Sequence, residues 1–303
     1  MNLDLARVLV GLGFLLAAAG MDWRRRVVKD AVWIAMGTVA LSLVEFDLLQ
    51  QGAPGSLHLL SVATAILYFG VFLGEPIWGD EGIHLRPVRL LAYLSTPVLV
   101  VAAGVWSEDP WRNLFWQLFT MPAMIVMAHG LYEFGMLRGG ADAKAVMALG
   151  LLFPGTYPHV GSLPLLQTSP LVEPILAAWF PFAFVVLVNS ALLVLVVPLL
   201  FLARNAAAGD ARLPRALFGY RVPIDAVPKY VWSMDRIEGG KAVHVYFPRR
   251  KEDREEQVRL LRQHGYTKVW VTPQLPFIVA MLVGYALAVG VGNLLLALFG
   301  LGR

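Results

Sequence analysis

The feature that most constrains this chain is a series of eight apolar segments, each near the length needed to cross a lipid bilayer. They cover residues 4–22, 30–49, 57–75, 89–106, 112–135, 141–155, 175–203 and 275–299. A bilayer core about 30 Å thick requires roughly 20 apolar residues per helix. The sixth segment is short by this measure and continues into a stretch whose Pro and Gly residues forbid a regular helix. We therefore predict an all-α polytopic membrane protein with about eight transmembrane helices, within a range of six to eight.

The composition supports this class and excludes several kinds of chemistry. The chain is 58% hydrophobic and only 15% charged, whereas soluble domains are about 45–50% apolar and about 25% charged. It contains no cysteine, which excludes disulfides, thiolate nucleophiles and cysteine-ligated metals. The six histidines show no metal-ligand spacing, and no phosphate loop or nucleic-acid motif is visible. We predict no metal, no other cofactor and no nucleic-acid partner.

The distribution of Lys and Arg predicts the orientation in the membrane, because short loops rich in these residues stay cytoplasmic. With the N-terminus outside, 22 of the 25 basic residues lie in cytoplasmic segments, and only Arg7, Arg112 and Arg303 lie outside. We therefore expect a multi-pass protein of the cell membrane with both termini outside. This orientation places Asp22, at the end of the first segment, and Asp142, at the start of the sixth, at the same cytoplasmic level.

A soluble insert interrupts the apolar pattern before the last segment. Residues 204–273 carry 14 basic and 8 acidic side chains. Residues 241–247 and 268–272 have the composition of strands, and residues 251–265 read as a helix stopped by Gly265. We predict a transmembrane catalytic domain over 1–203, a cytoplasmic α+β insert over 204–273 and a C-terminal transmembrane helix over 274–303. The basic balance of the insert suits contact with anionic lipid head groups or with an acidic partner, and the lipid contact is the simpler interpretation.

Asp22 and Asp142 are the candidate catalytic residues. A carboxylate within a spanning segment costs about 2.5–3.5 kcal/mol, so such residues usually face a cavity and have a function. Taken singly, Asp22 could begin a loop and Asp142 could be the N-cap of the sixth helix. Taken together, they lie at one depth beside small residues that allow close packing, namely residues 17–20 and Gly139, Gly140 and Ala141. Two adjacent carboxyl groups share one proton, so that one acts as base and the other as acid.

Two other classes of function use the same residues. A proton- or cation-coupled transporter would bind its ion at the two carboxylates, although transporter sites lie near the membrane midplane and no inverted repeat is visible here. A membrane scaffold would recruit a partner through the basic insert and use the aspartates only as helix caps. A hydrolase that activates water between the two aspartates remains the favoured interpretation.

Three stretches of the chain resemble a known family. The segment DWRRRVVKDAVW, beginning at Asp22, resembles the first aspartate region of archaeal preflagellin and prepilin peptidases. The segment GGADAK, beginning at Gly139, resembles their G-x-G-D motif, with Ala141 in place of the second glycine. The segment YTKVWVTPQLPFIVAM, beginning at Tyr266, is similar to the same proteins where the chain re-enters the membrane.

The resemblance implies a membrane aspartic endopeptidase in which Asp22 and Asp142 are catalytic. Its substrates would be precursors of archaellins or type IV pilin-like subunits, and it would cut their short basic leader peptides at the cytoplasmic face. The eight predicted spans exceed the six of the short archaeal enzymes, so the fourth and fifth would be an elaboration. The other partner implied is the lipid bilayer.

Further residues are candidates for shaping the site or binding substrate. Lys144 follows Asp142 by two positions, which directs the two side chains to different faces of a helix, and we expect Lys144 to reach the membrane interface by snorkelling. Glu133 precedes the glycine loop by one to two helical turns and is a candidate for the same cavity. The acidic segment 74–87 would attract a basic leader through Glu75, Asp80 and Glu81.

Overall fold

A computed structural model describes residues 3–74, 78–79, 82–83, 86–137, 139–166, 173–246 and 254–299. The chain divides into two compact units. One unit comprises Met1–Ala191 together with Pro276–Arg303, and the other comprises Leu192–Leu275. The first is a bundle of apolar helices, and the second contains a small antiparallel sheet.

The described helices follow one another in this order: α1 Asp4–Arg25, α2 Asp30–Gln51, α3 Gly55–Val71, α4 Pro87–Val105, α5 Arg112–Glu133, α6 Gly140–Leu152, α7 Glu173–Trp179, α8 Phe182–Val194, α9 Val196–Ala207, α10 Arg215–Phe218, α11 Arg254–Gln263, α12 Phe277–Gly290 and α13 Leu294–Leu298. The strands are β1 Trp78–Gly79, β2 Gly82–Ile83, β3 Tyr220–Pro223, β4 Val231–Ser233, β5 Asp235–Glu238, β6 Lys241–His244 and β7 Lys268–Pro273. Strands β1 and β2 pair with each other in antiparallel fashion.

The helix lengths confirm a polytopic membrane protein. In the part of the chain that the structure describes, five helices are long and apolar enough to cross a membrane, namely α1, α2, α4, α5 and the continuous stretch from Phe182 to Ala207. Helices α3 and α12 are apolar but shorter. Each of the eight predicted segments overlaps at least one of the observed helices. The predicted fold class, a helical membrane protein with a small α+β insert before the last helices, is therefore confirmed.

The seventh predicted segment is not one helix. Helix α7 ends at Trp179, and α8 begins at Phe182. Pro181 separates them because its ring removes a backbone donor and clashes with the preceding turn. The prediction of a single span over 175–203 was therefore wrong near its start. It was based on the hydropathy of the whole segment, which does not register one proline.

Helix α6 lies at the centre of the bundle, where it packs against α5 and α2 and also contacts α1 and α12. All its residues from Ala145 to Leu152 are buried. The helix has 13 residues and is about 20 Å long at 1.5 Å per residue, so it is too short to span a bilayer alone. The backbone that follows, over residues 153–166, is irregular and agrees with the prediction for this part of the stretch. Irregular backbone at membrane depth is tolerated where protein surrounds it.

The second unit has the predicted strand and helix content. Strand β7 lies between β3 and β4 in a three-stranded antiparallel sheet, and β5 pairs with β6 in a hairpin. The hairpin turns through Gly239 and Gly240, which both have positive φ angles that glycine adopts without strain. Helix α11, Arg254–Gln263, lies within the predicted helical stretch 251–265, and its Leu261 packs in a core with Val222, Val269 and Val271.

Candidate active site

Contacts between the helices show which helix ends lie together. Helices α1 and α2 are antiparallel, because the turn 26–29 joins them at one end and Arg7 contacts Asp47 at the other, with Nη2 and Oδ2 3.2 Å apart. The first turns of α6 lie beside the start of α2, where Lys144 Nζ is 2.6 Å from Asp30 Oδ1. Helix α6 packs along α2 and is therefore antiparallel to α1. The end of α1 and the starts of α2 and α6 thus share one end of the bundle.

Asp22 lies in the last turn of α1 on the face that packs inside the bundle. Residues Gly11, Leu15, Ala18 and Asp22 recur at helical spacing, and Leu15 and Ala18 are fully buried. Asp22 itself is half-buried. Its Oδ2 accepts a hydrogen bond of 3.1 Å from the backbone N–H of Ile278, in the first turn of α12. Asp22 is therefore a packed residue of α1 and not the first residue of a loop.

The backbone of Asp22 is also held by the end of its own helix. Arg26 is the C-cap of α1 and has a left-handed conformation, with φ at 55°. Its backbone N–H donates to the Asp22 carbonyl oxygen at 2.9 Å, and its Nη1 donates to the same oxygen at 3.2 Å. A non-glycine residue with this φ is uncommon and is retained only where the surroundings stabilise it. The end of α1 is therefore well defined around Asp22.

Asp142 lies in the first turn of α6 and is half-buried. The N-cap of α6 is Gly139, so the interpretation of Asp142 as the N-cap was wrong; as a first-turn residue it still benefits from the helix dipole. Its carboxylate folds back over Gly139, where any Cβ atom would overlap it. Gly140, in contrast, leaves ordinary van der Waals space of 3.5 Å to the ring of Tyr132. A side chain at residue 139 would therefore displace the Asp142 carboxylate from its present position.

The two aspartates lie at matching levels of their helices. Helices α1 and α6 approach at Gly11 and Leu152, where a Cβ on Gly11 would lie 3.2 Å from Leu152 Cδ2. At 1.5 Å per residue, Asp22 is about 16 Å from this contact along α1, and Asp142 is about 15 Å from it along α6. Because the helices are antiparallel, both displacements lead to the same end of the bundle. By this count, Asp22 and Asp142 lie at about the same level of two contacting helices.

Lys144 follows Asp142 by two positions in α6, and its ammonium group reaches the start of α2. Its Nζ forms an ion pair of 2.6 Å with Asp30 Oδ1 and lies 5.0 Å from the ring centroid of Phe72. The Lys144 side chain is 22% exposed, and the Asp30 side chain, at the first residue of α2, is 53% exposed. That Lys144 reaches the membrane interface stays a prediction.

A polar pocket lies against the face of α6 that carries Lys144. It is lined by residues of α3, α4, α5 and α6, together with Gly74. Arg89 is only 2% exposed; its Nε donates to Tyr93 Oη at 2.7 Å, and its Nη2 is 3.2 Å from His129 Nε2. The same His129 atom is 3.4 Å from Glu133 Oε1, and the Glu133 side chain is 6% exposed. The pocket thus holds a buried network of charged and polar groups.

This arrangement places Glu133 at the same end of the bundle as the aspartates, but beside His129 and Arg89. The residues of α6 that line the pocket are Gly140, Ala143, Lys144 and Met147, and Asp142 is not among them. The candidates Glu75, Asp80 and Glu81 lie outside the described residues. No group of three or more His, Asp and Glu side chains suited to a metal ion occurs within the described ranges.

Sequence reasoning missed Asp30, Arg89, Tyr93 and His129 as members of this region. Two signals were present: Arg89 with Tyr93, and His129 with Glu133, are each four residues apart on an apolar helix. Such pairs meet on one helix face. Ionisable residues within a spanning helix indicate a function or a buried partner, so these pairs could have been predicted to face the interior of the bundle.

Comparison with known proteins gives three findings. The sequence model of the family Archaeal Peptidase A24 C-terminus Type II matches residues 211–294, which comprise most of the insert and α12. The preflagellin peptidase of Methanococcus voltae is 27% identical over 241 residues, covering 77% of this chain and 98% of that protein. An uncharacterized protein of Methanocaldococcus jannaschii is 23% identical over 286 residues, covering 92% of this chain and 90% of its own length.

The helical bundle is that of a polytopic membrane protein, and the sequence is similar to that of archaeal peptidases. The resemblance to archaeal preflagellin and prepilin peptidases, indicated by the motifs around Asp22 and Asp142, is confirmed by the family match and by the relative from Methanococcus voltae. The family match covers neither aspartate, so the evidence for their role comes from the motifs and from the geometry of α1 and α6.

Proposed function

We propose that this protein is an aspartic endopeptidase that removes short basic leader peptides from archaellin-like and type IV pilin-like precursors. The observation that carries the proposal is the common level of Asp22 and Asp142 on two contacting, antiparallel helices. The substrate class follows from the name of the Methanococcus voltae relative, since the similarity covers nearly all of that protein. The distribution of Lys and Arg supports cleavage at the cytoplasmic face.

Peptide hydrolysis then requires one proton shared between the two carboxyl groups. The ionised carboxylate takes a proton from water, whose oxygen attacks the carbonyl carbon of the scissile bond, while the protonated carboxyl group donates to the carbonyl oxygen. When the tetrahedral intermediate collapses, the C–N bond breaks and the leaving amine takes the proton gained from water. The carbonyl oxygen returns its proton to the second carboxyl group, and both aspartates regain their starting states.

Recognition of the substrate has an apolar and a charged part in this proposal. The apolar segment of the precursor lies in the membrane beside the enzyme's helices, several of which expose leucine and valine side chains outward. Glu75, Asp80 and Glu81 attract the Lys and Arg residues of the leader. Glu133 is a further candidate, because it lines the polar pocket at the same end of the bundle.

Cleavage of a defined precursor tests the proposal directly. The detergent-solubilised protein is incubated with a precursor that carries a Lys- and Arg-containing leader before an apolar segment, and mass spectrometry locates the cut. We expect one product that lacks the leader. The same precursor presented to inside-out or right-side-out membrane vesicles reports the face, and we expect cleavage where the enzyme's cytoplasmic side is accessible. A precursor that stays full length under all these conditions would refute the proposed activity.

Neutralising the acidic segment tests leader recognition. The triple variant Glu75→Gln, Asp80→Asn and Glu81→Gln should raise KM for a basic leader by about tenfold and leave kcat nearly unchanged, because three weak surface attractions are lost equally from ground and transition states. The effect should shrink in high salt, which screens exposed charges beyond about 10 Å. Steady-state cleavage at low and high salt measures it.

The control for this prediction is Glu108→Gln, which removes an exposed acidic side chain between α4 and α5 at the opposite end of the bundle. It should leave KM unchanged. A triple variant that loses equal activity toward basic and neutral leaders would assign the segment to folding and would make Glu133 the next candidate.

A further inference from the structure

The ion pair between Lys144 and Asp30 joins two parts of the chain that are 114 residues apart in sequence. Asp30 is the first residue of α2 and follows α1 after the short turn 26–29. Lys144 follows Asp142 by two residues in α6. The pair therefore connects the start of α2, just after the turn that follows Asp22 in α1, to the first turns of α6, where Asp142 lies.

Glycines lie at and just before the start of α6. The N-cap, Gly139, makes no side-chain cap hydrogen bond, and a turn through Gly135, with φ at 75°, precedes it. Glycine retains more backbone freedom than any other residue. The position of Asp142 relative to α1 therefore depends on tertiary contacts near the first turns of α6.

Lys144 is suited to provide such a contact. Its Nζ is 2.6 Å from Asp30 Oδ1, and the ring of Phe72 lies beside the ammonium. The Lys144 side chain is 22% exposed and the Asp30 side chain 53% exposed. The pair is thus only partly exposed, and it acts locally on the first turns of α6.

We infer that Lys144 and Asp30 form a strap that sets the separation of Asp22 and Asp142, with Lys144 as a positioning residue. This inference rests on the proposed function, because a shared proton requires the two carboxyl groups to be close together. A displacement of about 1 Å at a reacting group can lower the rate by about a hundredfold. The strap acts through the aspartates and does not contact the substrate.

Kinetics of four variants test the strap. Lys144→Met and Asp30→Asn should each lower kcat by about ten- to a hundredfold and change KM by less than about threefold. Lys144→Arg, which keeps the cation, should retain activity within several-fold. The exchanged pair Asp30→Lys with Lys144→Asp should recover most of the loss. Asp47→Asn, which removes the ion pair with Arg7 at the other end of α2, is the matched control and should leave kcat unchanged.

Cross-linking provides a measurement that does not require activity. The chain has no cysteine, so Asp22→Cys with Asp142→Cys introduces the only two thiols. A short thiol-specific cross-linker should join them readily, and about five- to tenfold more slowly when Lys144→Met is added. Asp47→Asn should not change the cross-linking rate.

Two results would overturn the strap. One is unchanged kcat and unchanged cross-linking in Lys144→Met. The other is a combination of three results: Lys144→Met is inactive, Asp30→Asn is fully active and the exchanged pair is inactive. This combination would show that Lys144 takes part in the chemistry itself. Failure of the proposed function has a different signature, since leader cleavage would then persist in Asp22→Asn whatever the strap variants do.

Discussion

Asp22→Asn and Asp142→Asn should each reduce leader cleavage by about a thousandfold or more, while the protein still inserts and folds. Each change removes one ionisable member of the pair that activates water, and general acid–base groups contribute about 10²- to 10⁴-fold each. Asparagine is the appropriate replacement at residue 22, because its side-chain oxygen can still accept the hydrogen bond from the Ile278 N–H group. Single-turnover cleavage of a purified precursor, with detergent gel filtration to report folding, measures the effect.

Asp4→Asn is the matched control for these variants. Asp4 lies on the same helix as Asp22, and its Oδ2 likewise accepts a backbone hydrogen bond, from His159 N at 3.1 Å. It lies at the opposite end of α1 from the proposed site, so its activity should stay within about twofold of the parent. Near-normal turnover in Asp22→Asn or Asp142→Asn would remove that residue from the chemistry, and full activity in both would assign the catalysis to other residues.

Arg89→Met should cause the largest loss of stability among single changes at the polar pocket. Arg89 is 2% exposed and contacts Tyr93 and His129, and His129 contacts the buried Glu133 carboxylate. Removing one member of a buried charged network leaves the other charges uncompensated and costs about 3–5 kcal/mol. We expect Tm in detergent to fall by roughly 6 °C or more. Thermal unfolding followed by circular dichroism measures this change.

The double variant Arg89→Met with Glu133→Gln tests the cause of that loss. If an uncompensated Glu133 charge is responsible, the double variant should be more stable than Arg89→Met alone, and the double-mutant cycle should give a coupling of about 1 kcal/mol or more. Arg86→Met is the control, because Arg86 is exposed just before α4 and should change stability by less than about 0.5 kcal/mol. Equal losses for Arg86→Met and Arg89→Met would contradict a buried network.

The local features of this protein could be predicted because they depend on short stretches of sequence. The length of each apolar segment predicts a membrane helix, and α1, α2, α4 and α5 follow those segments closely. The strands β6 and β7 follow alternating and β-branched runs in the insert. The division between α7 and α8 was missed, because mean hydropathy does not register one proline.

The candidate site shows the same division between local and tertiary information. The sequence by itself determined that Asp22 and Asp142 stand at the ends of two apolar segments beside small residues. The antiparallel contact of α1 with α6, the ion pair of Lys144 with Asp30 and the network of Arg89, His129 and Glu133 were decided only by the tertiary structure. Each of these contacts joins residues that are distant in sequence, and a partner is selected by which helix faces pack together, which hydrophobic periodicity alone does not specify.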